Sequence, residues 1–375
     1  MTDISNHHDL INPLGARIGS GIIKQLKSDS RYLIFIFGVL ILWFIGVQII
    51  YSLIEGSGMT TQNRAGSFVS KMMVRAASLI LLLMSLRVIQ FTRRIGDASL
   101  IESLKQALKN DPSKPFRWAL YAIIAMVSYT FIMTNFMSVK TAIPEMIPFY
   151  MDETAQKWDR FLFFGKDPWL YFSWFYERPI LVELISVIYG FWISIFAFIW
   201  IYCFTTEVMS RKRRFQFIIS MILLYVIAGN IMATFLSSAG PCYYNYFLGS
   251  DIYQPLMAKL HAVHEIYPLG SVKYQDALLM MYEIKETRFA GISAIPSLHC
   301  STSLLFLCLF WKNKILRALL IAFNISIYIG SIVLAWHYAV DGLIAYPIAL
   351  FCWWVSGKMA VTIENRSPVT SAQKP

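Results

Sequence analysis

Two short segments hold residue types that could do chemistry together. One reads Gly291-Ile292-Ser293-Ala294-Ile295-Pro296-Ser297-Leu298-His299, the other Trp336-His337-Tyr338-Ala339-Val340-Asp341. His337 and Asp341 stand four apart, which on a helix puts both on one face within contact distance. A carboxylate beside an imidazole fixes its tautomer and stabilises its charged form. Two histidines and one aspartate suit phosphoryl transfer through a phosphohistidine. One neutral His attacks phosphorus, the Asp steadies it, and the second His protonates the leaving oxygen. Backbone N–H groups at the start of a helix after Pro296-Ser297 would face the phosphate oxygens. These residues alone leave another explanation open, a structural His–Asp pair clamping two helices. No metal or other cofactor is expected, because the spacing of these two His and one Asp shows no evident ligand set. His261-x-x-His264-Glu265 has neither zinc-protease order and reads as an exposed helical face.

The elements that must bring these residues together are membrane helices. Of the 375 residues, 57% are hydrophobic and only 15% charged, and mean hydropathy is +0.54. A soluble domain carries about 25% charged residues, so soluble, disordered and disulfide-stapled classes are excluded. Apolar stretches long enough to span a bilayer fall at 32–54, 72–91, 116–138, 180–204, 215–236, 315–336 and 339–356, with a shorter one at 298–311. The expectation is an all-α polytopic bundle of about eight transmembrane helices. It divides into a tail over 1–31, two leading spans over 32–115, a six-helix core over 116–356 and a tail over 357–375. The core carries two long outer connections, 139–179 and 237–296. The second should contain helices near 252–266 and 274–286, because a structureless loop of that length is unusual.

Nineteen Lys and Arg fall on the side of the termini and eleven on the other. By the positive-inside rule both termini are cytoplasmic. The net charge of +11 then faces anionic inner-leaflet lipid, and no nucleic-acid partner is implied. His299 opens the sixth span and His337 closes the hairpin between the seventh and eighth. One antiparallel helix pair separates them, so both reach the outer face, on the periplasmic, extracellular or lumenal side. A proton-relay transporter is disfavoured, since such sites lie at mid-membrane.

Pro296-Ser297-Leu298-His299 and His337-Tyr338-x-x-Asp341, continued by Gly342-Leu343-Ile344-Ala345-Tyr346, resemble two motifs of the type-2 phosphatidic acid phosphatase superfamily. Within it they resemble the branch of inositolphosphotransferases and sphingomyelin synthases. The resemblance implies a six-helix catalytic core acting on a phospholipid, polyprenyl or sphingolipid substrate. His337 would be the nucleophile, Asp341 its orienting carboxylate, His299 the general acid and base, and Ser297 a phosphate ligand. The chain departs from the superfamily where phosphate-binding cations are due. Ala233 stands in the Lys slot of the first motif, Gly240-Pro241 in place of Arg-Pro, and Gly330-Ser331 in place of Ser-Arg. Arg288, Lys285 and Arg178, in that order, are the candidates to meet the phosphate charge instead. The departure fits a head-group transferase better than a simple phosphatase.

Overall fold

The computed structural model describes residues 12–53, 109–284 and 291–365. The stretch 72–91, expected to span, and the candidates Lys285 and Arg288 lie outside the described residues. Ten helices carry the argument. They are α1 (Asn12–Leu53), α2 (Lys114–Met146), α3 (Asp152–Leu162), α4 (Pro179–Thr205), α5 (Arg211–Phe235), α6 (Gln254–Ile266), α7 (Gly270–Glu283), α8 (Leu298–Phe310), α9 (Lys314–Val333) and α10 (Ala339–Asn365). Among the described residues there is no strand, and six helices are long and apolar enough to cross a membrane: α1, α2, α4, α5, α9 and α10. The chain is an all-α polytopic bundle and an integral membrane protein.

The thirteen residues of α8 reach only about 20 Å at 1.5 Å per residue, less than the hydrocarbon core. The packing explains how so short a helix is accommodated. It is enclosed by α4, α5, α9 and α10, and nine of its side chains, from Leu298 to Leu309, are buried. By contrast α9 buries only Ile327, Gly330, Ser331, Ile332 and Val333, while Ile315, Leu319 and Ile325 are exposed. An apolar surface of that kind belongs against lipid.

Two helices run further than hydropathy implies. α1 begins at Asn12, and one side of its polar stretch packs on α2. Asp29, fully buried, accepts hydrogen bonds from Gln25 Nε2 (2.7 Å) and Tyr121 Oη (2.7 Å). A Cβ at Gly21 would overlap the Ser113 hydroxyl, so glycine permits this approach. α10 continues to Asn365, where Tyr32 Oη bonds the Ala360 carbonyl at 2.8 Å. The connection between α5 and α8 holds α6 and α7 close to where helices were expected. The connection between α2 and α4 holds α3 and a 3₁₀ segment, Pro168–Phe175. Within α5, Tyr225–Met232 is a π-helical segment, a geometry often found beside functional sites. A Cβ at Gly229 in this segment would lie 3.1 Å from both Leu298 and Phe136. The segment thus sets α8 and α2 close together.

Candidate active site

The two sequence segments meet at one end of the bundle. Their relation starts from the turn between α9 and α10. Ala335 adopts a left-handed φ of 59°, uncommon for a residue with a Cβ, and turns the chain out of α9. The His337 N–H bonds back to the Ser331 carbonyl at 3.0 Å. His337 Nδ1 lies 3.1 Å from Asp341 Oδ2, which also accepts from the Tyr338 N–H at 3.1 Å. Asp341 is fully buried, and its Oδ1 has no hydrogen-bond partner. The Ser297 N–H reaches the Asp341 carbonyl at 3.3 Å, tying the start of α8 to the start of α10.

Ser297 is the N-cap of α8 and fully buried; its Oγ accepts from the Cys300 N–H at 3.4 Å. His299 follows in the first turn. Its ring stacks on Tyr189 at 4.3 Å and tilts against Trp192 at 4.1 Å, both from α4. Trp192 Nε1 bonds Thr302 one turn below, which locks this aromatic wall to α8. The His299 and His337 rings face one another at 6.1 Å between centroids. The planes meet at 62°, edge to face, so both imidazoles border one cleft.

Burial, reinforced by the charge on Lys140, holds the His337 imidazole well below the usual histidine range, although the Ala294 carbonyl opposes the shift. His337 is therefore neutral at physiological pH, the form a nucleophile needs.

Sequence reasoning missed α3 and Lys140. Asp152 and Asp159 stand seven apart on α3, two turns on one face, and both are buried. Asp152 Oδ1 accepts from Ser238 Oγ, the Gly240 N–H and Tyr338 Oη, and Oδ2 from the Ala239 N–H, each at 2.8 Å. Asp159 accepts from the Ala339 and Val340 N–H groups at 2.8 Å each. It thereby caps α10 and complements the positive end of the helix. The visible signal was a pair of acids at helical spacing in an otherwise apolar protein. Their partners lie some 80 to 190 residues away in sequence, which no local pattern announces. Burial pushes Asp159 up to about 7; the two N–H groups pull it down, and Asp341 and Asp167 add to the rise. Lys140 lies in the last two turns of α2, and its charge acts on both imidazoles.

The candidate cations fare differently. Arg178 is the exposed N-cap of α4, and no hydrogen bond or ion pair joins it to the cluster among the described residues. Where the superfamily motif has arginine, Gly240 takes φ 96° and a Cβ would sit 2.8 Å from the Trp336 carbonyl oxygen. An Arg there would displace the turn that carries His337. Gly330 is similarly packed, with a Cβ placed 3.1 Å from Ile185 and Tyr189. His264 Nδ1 accepts the Leu269 N–H at 2.9 Å, and His261 is exposed, so both are features of the α6 surface and its end. All five cysteines are free.

No curated protein and no solved structure matches the chain. A family model does: that of the PAP2 superfamily, over residues 153–355. The match begins in α3, ends in α10 and takes in both histidines, Asp341 and Ser297. It covers more than half of the 375 residues, and on that extent the chain belongs to the PAP2 superfamily.

Proposed function

We propose that this protein is a membrane lipid phosphotransferase. It moves a phosphoryl or phospho-head group through a phosphohistidine at His337. The observation that carries the reading is the facing pair of imidazoles, one of them held by a buried aspartate. Neutral His337 attacks phosphorus through Nε2. The N–P bond forms as the ester P–O bond breaks, and His299 gives its proton to the departing oxygen. Asp341 holds the proton on Nδ1 and offsets the positive charge the ring acquires. In the second half an acceptor hydroxyl gives its proton to His299 as its oxygen attacks phosphorus. The N–P bond then breaks and His337 is restored. Ser297 shapes the start of α8, whose first-turn N–H groups favour phosphate oxygens. The aromatic wall of Tyr189 and Trp192 orients His299.

Chemistry of this kind needs no metal, and none is invoked. The acceptor is a second lipid or head-group alcohol, as in the inositolphosphotransferase-like branch. Water as acceptor would make the protein a lipid phosphate phosphatase. The site faces the periplasm, extracellular space or lumen, with both termini cytoplasmic. Purified protein incubated with labelled phospholipids, with and without alcohol acceptors, tests the reaction. Product lipid is expected, together with an acid-labile, alkali-stable phospho-enzyme that His337→Ala lacks; free phosphate alone would establish the phosphatase. Absence of either product would refute the reading. A membrane-impermeant thiol reagent should label a cysteine placed at Tyr274 in intact cells but not one at Lys212, and the reverse would invert the topology.

A further inference from the structure

We infer that Lys140 is the cation that binds the substrate's phosphate in the cleft between His299 and His337, an assignment that rests on the phosphotransfer reading above. Lys140 lies on α2, outside the segment matched by the family. Its place is set by packing on two sides. The stem lies against Gly291, where a Cβ would come within 2.8 Å of Lys140 Cγ and 3.1 Å of Cδ. The ammonium sits over the Phe136 ring at 5.7 Å. Phe136 in turn abuts Gly229, which abuts Leu298, the residue next to His299. A lysine at the end of a membrane helix ordinarily snorkels outward to water. Here the stem is pinned beneath the segment that leads into Pro296-Ser297-Leu298-His299.

The charge balance of the cleft calls for such a group. Asp341, Asp152 and Asp159 are buried around it, and an entering phosphate anion meets their field. Lys140 is the one Lys or Arg among the described residues whose charge acts on both imidazoles, and no carboxylate there pairs with it. Three donors on a flexible point charge suit a phosphate that changes geometry during transfer. The same charge opposes a positive His337 while the cleft is empty. A bound phosphate anion cancels that opposition when the phosphorylated ring becomes cationic. The ligand class is therefore an anionic phosphate ester, with inorganic phosphate or orthovanadate as minimal mimics.

The test uses the full-length protein in detergent, with orthovanadate as probe and the labelled lipid that the wild type turns over. Lys140→Gln should lower kcat/KM by about 10²-fold, the usual effect of removing one group that stabilises developing charge. It should weaken orthovanadate inhibition at least about tenfold. Lys140→Arg should recover most of both, which a packing defect would not allow. Gly291→Ala, which displaces the stem but keeps the charge, should produce a smaller loss of the same kind. If Lys140→Gln keeps its kcat/KM and its inhibition by orthovanadate, the assignment is overturned while the phosphotransfer reading stands. If the wild type turns over no lipid, that reading fails and the assignment is judged by binding alone. Orthovanadate should then raise the melting temperature of the wild type but not of Lys140→Gln. An equal rise in both, or none in the wild type, overturns it.

Discussion

The two ends of the bundle handle charge differently. At the end away from the histidines, cations and acids neutralise one another or cap helices. Arg213 donates to the Leu309 and Cys308 carbonyls at the end of α8, at 2.8 and 2.6 Å. Arg214 reaches the last carbonyls of α4. Arg117 pairs with Asp111 at 2.9 Å and Glu207 at 3.4 Å, and Lys114 pairs with Glu207 at 3.0 Å. These are favourable placements at helix C-termini and ordinary surface ion pairs. At the histidine end Asp152, Asp159 and Asp341 bond to backbone N–H groups, hydroxyls and an imidazole, and among the described residues no carboxylate pairs with Lys140. The first arrangement is complete by itself. On the reading proposed above, the second is completed by an anionic substrate.

The largest expected break in that comparison is at the histidines. His337→Ala, Asp341→Asn and His299→Ala should each cost at least about 10²–10⁴-fold in turnover, the range for general acid–base help. Melting temperatures should stay near wild type. The three act as one unit, so double variants should be scarcely worse than singles. A nitrophenyl ester, whose leaving group needs no proton, should partly rescue His299→Ala but not His337→Ala. Equal rescue of both would remove the division of roles. Next comes Asp152→Ala, which strands four donors, two of them backbone. Each buried donor left unpaired costs about 1–3 kcal/mol, so the melting temperature should fall sharply and activity with it. Asp152→Asn should recover part of the stability. If Asp152→Ala melted like the wild type, the α3 brace would be unnecessary.

A smaller effect comes from Asp159. With its carboxyl at about 7, it is increasingly protonated as pH falls below neutrality. A protonated carboxyl turns one oxygen into a hydroxyl and can no longer accept from both Ala339 and Val340. The cap of α10 is then halved, and with it the hold on the turn between His337 and Asp341. Turnover should therefore decline as pH drops through about 7. His337, kept neutral well into acid, is not the group that titrates. In Asp159→Asn the plateau should be lower and this acid limb absent; an unchanged limb would assign it elsewhere.

Legibility in the sequence divides along the same line. Spans were readable because lipid selects for apolar length, and each described long helix has a counterpart in the hydropathy. The histidines and Asp341 were readable because their spacing is local and falls at span ends. Asp152 and Asp159 were not, since what they do depends on N–H groups far along the chain. Lys140 was one of the eleven basic residues counted on the outer side, and only the packing of Gly291 and Phe136 shows where it lies. Arg178 stands at the exposed start of α4, with no bond to the cluster among the described residues. The polar stretch from Gln25 to Asp29 read as a tail because its partner, Tyr121, is on another helix.

The smallest effect sharpens the comparison from the other end. Glu207 bridges Lys114 and Arg117, but the Glu207 and Lys114 side chains are more than half exposed. Exposed ion pairs typically contribute about 0–1 kcal/mol, because water screens them and holding two long side chains costs entropy. Glu207→Gln should therefore lower stability by no more than about 1 kcal/mol, and less at high salt, where screening has already weakened the pair. Turnover should be unchanged, since Arg117 keeps Asp111 and no helix at the histidine end loses a cap. Melting curves at low and high salt, with turnover on the same samples, provide the measurement. A large loss of turnover in Glu207→Gln would couple the two ends of the bundle and overturn the view that the far end is self-contained.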